Sequence, residues 1–431
     1  MGENGHQSSE YWSIDIAQEN KSEEVLEAGP DCCIYRVPEY LRKINEAAYT
    51  PRLISIGPLH YGKFMGMENQ KKRFWSEFWK RVNNAQKLEE FKIYIESQEQ
   101  RIRDHYSVSS TLQSSKYVAM IQLDAVFIFE FFLRNYNDTD DFLLKSPSLC
   151  VSITADLLLL ENQVPYSVLN HLYAVTFPGS PSFFRLSLSV FSNELKFNLL
   201  SLLIVEPNVK HFTDLLRHAF VMEVQPSESN RGGIFDVPTV TKLNESGLNF
   251  SGVKDKCYLD INLVKRKRGK WLPWFEVKWL PRFEVNELQI PRIKIYDETE
   301  GLFRNMMALE QFHYPTKTHM CNYVDLLDNL IDTVKDVDLL VEKEIIVNCV
   351  GDNKVIAKMF NRLGTHIILS DSPYYDIVKR MKAHYKYPWN HSKATLRSAY
   401  FSNLWTGTAT VAAAFLLILT ATQTVYSIMQ D

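Results

Sequence analysis

No charged residue occurs between Ser398 and Gln430. A buried core helix of that length usually shows a polar stripe, and here only scattered Thr and Ser and one Gln423 break the apolar surface. The start of the chain has no cationic segment and no apolar run (MGENGHQSSEYW), so no secretory leader is expected. Cysteine is sparse. The six residues (Cys32, Cys33, Cys150, Cys257, Cys321 and Cys349) include no CxxC, and the adjacent Cys32 and Cys33 cannot easily pair with each other. That pattern argues against a zinc site or a disulfide framework and for buried thiols in a reducing compartment. Charge of either sign is not in excess: 48 Lys and Arg against 51 Asp and Glu leave a net charge of −3. No nucleic-acid partner is expected on that balance.

Catalytic signatures are equally scarce. There is no G-x-S-x-G and no H-x-x-x-H enclosing an acid, and no cysteine sits in a recognisable nucleophile context. His211 and His218 lie seven apart and read as satisfied or surface histidines rather than ligands. Asp124 and Glu130 fall six apart on one helix, so they point to different faces and do not make an opposed carboxylate pair. They read as buried partners for Arg134 or for helix ends. One phosphate-loop lookalike exists: Gly57-Pro58-Leu59-His60-Tyr61-Gly62-Lys63 has the G-x-x-x-x-G-K spacing after the strand-like Leu53–Ile56. Phe64 stands where Ser or Thr should hold magnesium, and Pro58 removes an N–H from the cradle. The expectation is no enzyme, no cofactor and no metal. An uncharacterised enzyme or nucleotide-binding protein using the Gly57–Lys63 loop is the alternative.

What the chain does contain begins at its end. Leu404–Ile428 is one apolar segment of 25 residues, and about 20 suffice to cross a bilayer core as a helix. Trp405 and Tyr426 sit near its two ends, where amphipathic rings favour the headgroup level. Its threonines are compatible with a span, because a hydroxyl can bond the carbonyl one turn earlier. Ahead of it, Ile377–Arg397 carries six cations and no acid, which places the N-terminal part on the cytosolic side. Residues 386–403 read as a basic, aromatic juxtamembrane segment suited to anionic lipid. Five N-x-S/T triplets, at Asn20, Asn137, Asn244, Asn249 and Asn390, test that orientation. Gly2 does not open a myristoylation motif, since His6 stands where Ser or Thr is wanted.

Residues 1–30 hold seven acids and one Lys21, a flexible acidic arm. From 31 to 385 a mostly helical domain is expected. Phe74, Phe78 and Val82, then Phe91 and Ile95, recur at four-residue steps within a helical stretch from Met67 to about Tyr106. Tyr117–Arg134 reads as the central core helix, with Glu130 and Arg134 an i,i+4 pair. A second apolar helix, Ile153–Tyr173, is punctuated by Pro165, and more helix follows to about Val221. Between Cys257 and Tyr296 residues alternate, so a small antiparallel sheet is expected there. Helices return at 299–335, 353–363 and 371–385. The fold class is thus predominantly α-helical (α+β), with a small antiparallel sheet near 257–296 and one C-terminal transmembrane helix at 404–428.

Two local features stand apart. Lys265–Lys270 is a basic hexamer that would pass as a nuclear import signal but fits a solvated hairpin turn. Trp271–Lys278 is repeated as Trp279–Asn286 with six of eight positions matching. It reads as a loop duplication or as an exposed aromatic recognition loop; duplication is preferred because two repeats can cover each other's apolar side chains.

Several blocks together resemble the plant-specific family that carries domain of unknown function 247. They are Ile34–Pro38; Tyr49–Gly62 with S-I-G-P-L-H-Y-G; Leu123-Asp124 with Phe127–Glu130; Leu159-Leu160-Glu161-Asn162-Gln163-Val164-Pro165; Ile290–Ile293; Phe303–Gln311 ending in Glu310-Gln311; and Gln423–Val425. Ala125-Val126 departs from the family's more usual Gly-Cys, and the W-L-P repeat enlarges the loop before Ile290. The resemblance implies a mostly helical cytosolic domain, a single-pass C-terminal anchor and no established enzymatic activity. Some similar members in grasses are pollen-side determinants of self-incompatibility. The expected function is a non-catalytic recognition or signalling protein of the plasma membrane, with lipid around its C-terminal helix and an unidentified protein partner. Gly57, Pro58, His60, Gly62, Asp124, Glu130, Glu161, Asn162, Gln163, Pro165, Glu310 and Gln311 are expected to act structurally, Leu160–Pro165 forming a hinge.

Overall fold

The computed structural model describes residues 29–137, 139–195, 207–221, 232–254, 256–267, 284–369, 371–392, 395 and 404–429. The acidic arm to residue 28, the W-L-P repeat before Glu284, residues 268–270 of the basic hexamer and most of 393–403 lie outside them.

Helix α1 (Glu39–Arg42) and a 3₁₀ turn (Glu46–Ala48) lead into an extended stretch, 50–57. The helical run expected from Met67 to Tyr106 is two helices, α2 (Met65–Val82) and α3 (Ala85–Asp104). Two asparagines break it. Asn83 adopts φ 45°, a left-handed cap that Asn tolerates, and Asn84 caps α3 by accepting from the Lys87 N–H at 3.0 Å. Helix α4 (Ser114–Tyr136) is the central element, with an unbroken buried run from Asp124 to Phe132. Phe127 stacks on Phe74 at 5.4 Å, Phe129 meets Phe183 at 5.4 Å and Phe132 meets Phe212 at 5.5 Å. Leu143 of α5 (Phe142–Lys145), Ile153 of α6 (Pro147–Asp156), Leu169 of α7 (Tyr166–Thr176), Phe183 of α8 (Phe183–Leu195) and Phe212 of α9 (Phe212–Val221) join the same core.

Pro165 does not kink a continuous helix. Helix α6 stops at Asp156, and Leu157–Val164 forms a buried irregular link before α7 starts behind Pro165. Asn162 and Gln163 of the link bond the Asp156, Leu157 and Leu159 carbonyls, and Thr213 and Tyr106 from outside bond those of Leu158 and Gln163, so the helix can end early with these carbonyls satisfied.

After α10 (Val240–Glu245), strands β1 (Asn249–Val253), β2 (Asn262–Lys267) and β3 (Glu284–Pro291) form a sheet in the order β1-β3-β2. Strands β2 and β3 pair antiparallel within the expected window, while β1 joins from outside it, parallel to β3. Leu288 sits opposite both Phe250 and Leu263, and all three are buried. Gly252 in β1 allows a close approach: a Cβ there would lie 2.2 Å from the Glu344 carbonyl oxygen. Strand β4 (Ile293–Ile295) pairs with the later β5 (Ile346–Asn348). Helices α11 (Thr299–His313), α12 (His319–Leu330), α13 (Val334–Glu342), α14 (Asn353–Leu363) and α15 (Tyr375–Lys386) complete the domain.

One further helix, Leu404–Ile428, is long and apolar enough to cross a membrane, and none of its apolar stretch is buried. Within it Thr410 bonds the Thr406 carbonyl at 2.7 Å, Thr420 that of Leu416 at 2.8 Å, and Thr424 that of Thr420 at 2.8 Å. Each of these hydroxyls is thereby satisfied inside its own helix.

Candidate functional site

Most of the polar residues singled out in the sequence converge on one buried hub between the extended stretch 50–57, the 157–164 link and helix α4. Gly57 stands at φ 71°, and a Cβ there would lie 2.4 Å from the Gln163 carbonyl oxygen, so only glycine fits. Its N–H donates to Asp124 Oδ2 at 2.8 Å. The other Asp124 oxygen takes the Lys71 ammonium at 2.6 Å, and Lys71 also donates to the Ser55 carbonyl at 2.6 Å and to Glu68 at 2.7 Å. Burial works against the Lys71 charge, but Asp124 and Glu68 outweigh it and hold its pKa above the ordinary lysine value.

The link supplies the remaining partners. Asn162 Nδ2 donates to the Ile54 and Asp156 carbonyls at 3.0 and 2.9 Å, and its Oδ1 accepts from the Ile56 N–H at 2.6 Å. Asp156 accepts three successive N–H groups, from Arg52, Leu53 and Ile54, at 2.7–2.9 Å. Gln163 bonds the Leu157 and Leu159 carbonyls at 2.6 and 2.7 Å and accepts from the Phe212 N–H at 3.0 Å. Glu161 takes the Val37 N–H at 2.7 Å, His60 Nε2 at 3.0 Å and the Arg42 guanidinium. Burial alone would raise the Glu161 carboxyl, yet the His60 bond, the Arg42 charge and the Val37 N–H together hold it below the usual range. Pro165 caps α7, and Gly62 turns the loop at φ 84°.

The loop thus spends its first donor inward, while Tyr61, Gly62 and Lys63 stay exposed. Gly57 N–H is on Asp124, Pro58 has none, and Lys63 Nζ lies 3.1 Å from His60 Nδ1.

Glu130 lies outside this hub. It pairs with Arg134 at 2.7 Å and with Arg81, while Arg134 also reaches Glu77 and Asp141 at 2.6 and 2.7 Å. Glu310 anchors a third cluster, bonding Arg217 at 2.9 Å and the Cys321 N–H at 3.0 Å; Gln311 is half-buried beside the Cys321 thiol. Fully buried His211 bonds the Cys33 carbonyl at 3.0 Å, and burial pushes its pKa down to about 4. His218 lies 3.7 Å from Asp214. None of the six cysteines is in a disulfide, and four of them are buried. Among the described residues no group of three or more His, Cys, Asp or Glu is placed to hold a metal ion.

Sequence reasoning missed Lys71, Asp156, Arg217 and Asn305. Lys71 begins a Lys-Lys-Arg run that reads as solvated. Asn305, within the Phe303–Gln311 block, accepts from the Leu160 N–H at 2.8 Å and donates to the Ala48 and Gly301 carbonyls at 2.7 Å. A shallow cleft of about 80 Å³ lies alongside, between Asn45, Arg52, Asp156 and Glu300.

A pH-sensitive pair occupies α12. Burial, with the charge of the next acid along, raises both Asp325 and Asp328 to about 6. An acid raised in the fold above its unfolded value of about 3.9 contributes stability below pH ~4 that is lost as pH climbs through 6. Asp325→Asn should therefore stabilise by about 1 kcal/mol at pH 7.5, after discounting for partial exposure, and by nothing at pH 4. Thermal melts at the two pH values check this, and an equal gain at both would assign the effect to packing.

Comparison with known proteins adds the following. A family model described as a plant protein of unknown function, DUF247, matches residues 34–419. The chain is 30% identical over 416 residues to the UPF0481 protein At3g47200 of Arabidopsis thaliana, covering 92% of this chain and 86% of that protein. It is 25% identical over 138 residues to a putative UPF0481 protein, At3g02645, of the same plant, covering 32% and 26%. No solved structure matches.

Proposed function

The chain belongs to the DUF247 family of plant proteins, and from that premise we propose that it is a non-catalytic recognition or signalling protein, anchored by Leu404–Ile428 with its folded domain in the cytosol at the plasma membrane. Self-incompatibility-type recognition is one form such a role takes in the resembling family.

The observation that carries the reading is the contrast between the two parts of the molecule. The apolar stretch Thr408–Ile428 of the C-terminal helix is not buried against the domain, a surface that lipid stabilises and water does not. Gly57, Asp124, Glu161, Asn162 and Gln163, by contrast, are buried, and each takes part in a hydrogen bond with the domain's own backbone. A binding loop for phosphate presents N–H groups outward. Here the Gly57 N–H is already bonded to buried Asp124, which supports a scaffold rather than an active site. The recognition role itself needs a protein partner that contacts the exposed surface.

Orientation provides the experiment. Of the acceptor asparagines among the described residues, Asn137 is exposed at the end of α4, whereas Asn249 lies in paired β1 and Asn390 donates to the His384 carbonyl at 2.8 Å. In sealed vesicles with the cytosolic face outward, protease should digest the domain, and Asn137 should carry no glycan. A mobility shift on endoglycosidase treatment, abolished by Asn137→Gln, would overturn the orientation.

A further inference from the structure

Exposed apolar side chains gather where the domain meets its C-terminal segment. Trp389 is 73% exposed, Tyr387 55% and Phe235 75%. These are not ends of a loose tether. Asn390 Nδ2 donates to the His384 carbonyl at 2.8 Å, His391 Nε2 bonds the Tyr385 carbonyl at 2.7 Å, and the His391 ring meets Tyr385 edge-on at 5.0 Å. His384 in turn bonds the Ser246 carbonyl at 3.1 Å. The strap Tyr387–His391 is therefore folded back on α15, and it holds Trp389 outward. Lys382 Nζ bonds the Phe235 carbonyl at 2.9 Å and brings the third ring to the same helix.

Helix α15 is two-faced. Val378 and Met381 are buried, and Tyr385 follows on the same side. Lys379, Lys382 and Lys386 recur at i, i+3 and i+7 on the adjoining flank, each one residue after Val378, Met381 or Tyr385, and Lys379 and Lys386 are exposed. Arg380 adds a cation that reaches the Leu263 carbonyl at 3.0 Å. The acids nearby are Asp371 and Asp376 at the N-terminal end of α15, Asp236 beside Phe235, and exposed Glu245 next to Ser246, whose carbonyl His384 bonds; residues 377–392 themselves contain none. Fixed aromatic rings beside a cationic stripe suit a headgroup layer, where amphipathic rings partition and anionic lipid attracts lysine. A soluble surface rarely displays Trp, Tyr and Phe together unless something covers them.

Proximity selects the occupant. Leu404 follows Trp389 by 15 residues, so even a fully extended chain keeps them within about 50 Å. We propose that α15 and the Tyr387–His391 strap form a lipid-docking face that lays the folded domain on the anionic surface beside its own anchor. This rests on the membrane-anchored reading. An anchor alone would leave the domain free to tumble. The docking face fixes which side meets the lipid and leaves the opposite side open to a partner.

The full chain, reconstituted in vesicles of phosphatidylcholine with or without phosphatidylserine, tests this. Docking is read as quenching of Trp389 by lipid carrying a nitroxide at the headgroup boundary, taken as the difference between the chain and its Trp389→Phe variant. Quenching should be several-fold greater with phosphatidylserine. It should fall to the neutral-lipid level in a Lys379→Glu/Lys382→Glu/Lys386→Glu variant and in 1 M salt, where the screening length is about 3 Å. Unchanged circular dichroism of the variant separates lost docking from lost folding. A chain that floats with carbonate-washed vesicles but shows equal quenching in both lipids overturns the docking face and leaves the anchor standing, with an acidic protein as the better occupant. A chain that does not float at all overturns the anchor, and the docking face falls with it.

Discussion

Asp124→Ala is expected to cost about 3–5 kcal/mol of folding stability, because it leaves the Lys71 ammonium buried without its carboxylate. Lys71 is 1% exposed, and its other contacts are the Ser55 carbonyl and the half-buried Glu68. The substitution also orphans the Gly57 N–H. Domains are stable by only about 5–15 kcal/mol, so such a loss is a large fraction of the whole. Denaturant unfolding of the purified chain checks it. A Lys71→Met/Asp124→Leu double variant should recover much of the loss, because a buried ion pair replaced by apolar side chains is often neutral. Glu161→Ala and Gln163→Ala act on the same hub, each by about 1–3 kcal/mol. A variant at Asp124 or Glu161 that kept full stability while losing biological activity would falsify the structural reading of the hub.

Truncation before Ser398 is expected to move the protein from the membrane to the soluble fraction. It removes Leu404–Ile428, the one helix among the described residues with the length and apolarity to cross a bilayer. With about 25 apolar residues gone, the docking stripe alone holds on by a few exposed cations, a salt-sensitive attraction. Carbonate washing followed by immunoblotting distinguishes the outcomes. Retention of the truncated chain in washed membranes would show that a different segment anchors it.

Some of this architecture was legible because it depends on local pattern. Buried Phe74, Phe78, Phe91 and Ile95 follow from helical spacing. The central α4 follows from a long apolar run with few charges, and its Glu130–Arg134 pair from i,i+4 geometry. The Asn83–Asn84 break was less visible, since both residues are tolerated within helices and only the φ of 45° at Asn83 marks the cap. The parallel strand β1 escaped the alternation window, because its pairing with β3 spans dozens of residues and depends on the Gly252 approach to Glu344.

By itself the sequence determined the family, the helical class and the apolar C-terminal segment, because each is a property of neighbouring residues or of a shared motif. It also allowed the Gly57–Lys63 loop two readings, a phosphate cradle and a structural turn. Tertiary structure decided where the Ile56 and Gly57 N–H groups at its start are spent. Asp124 comes from a helix 67 residues later and Asn162 from a link 106 residues after Ile56. No local pattern reports such partners, since a backbone N–H is equally able to hold a ligand or a carboxylate until folding brings one of them within 3 Å. The same holds for Lys71, which reads as a surface lysine in the chain and becomes a buried one only when α2 closes on α4. Trp389, too, becomes part of a rigid face only when Asn390 and His391 bond back to α15.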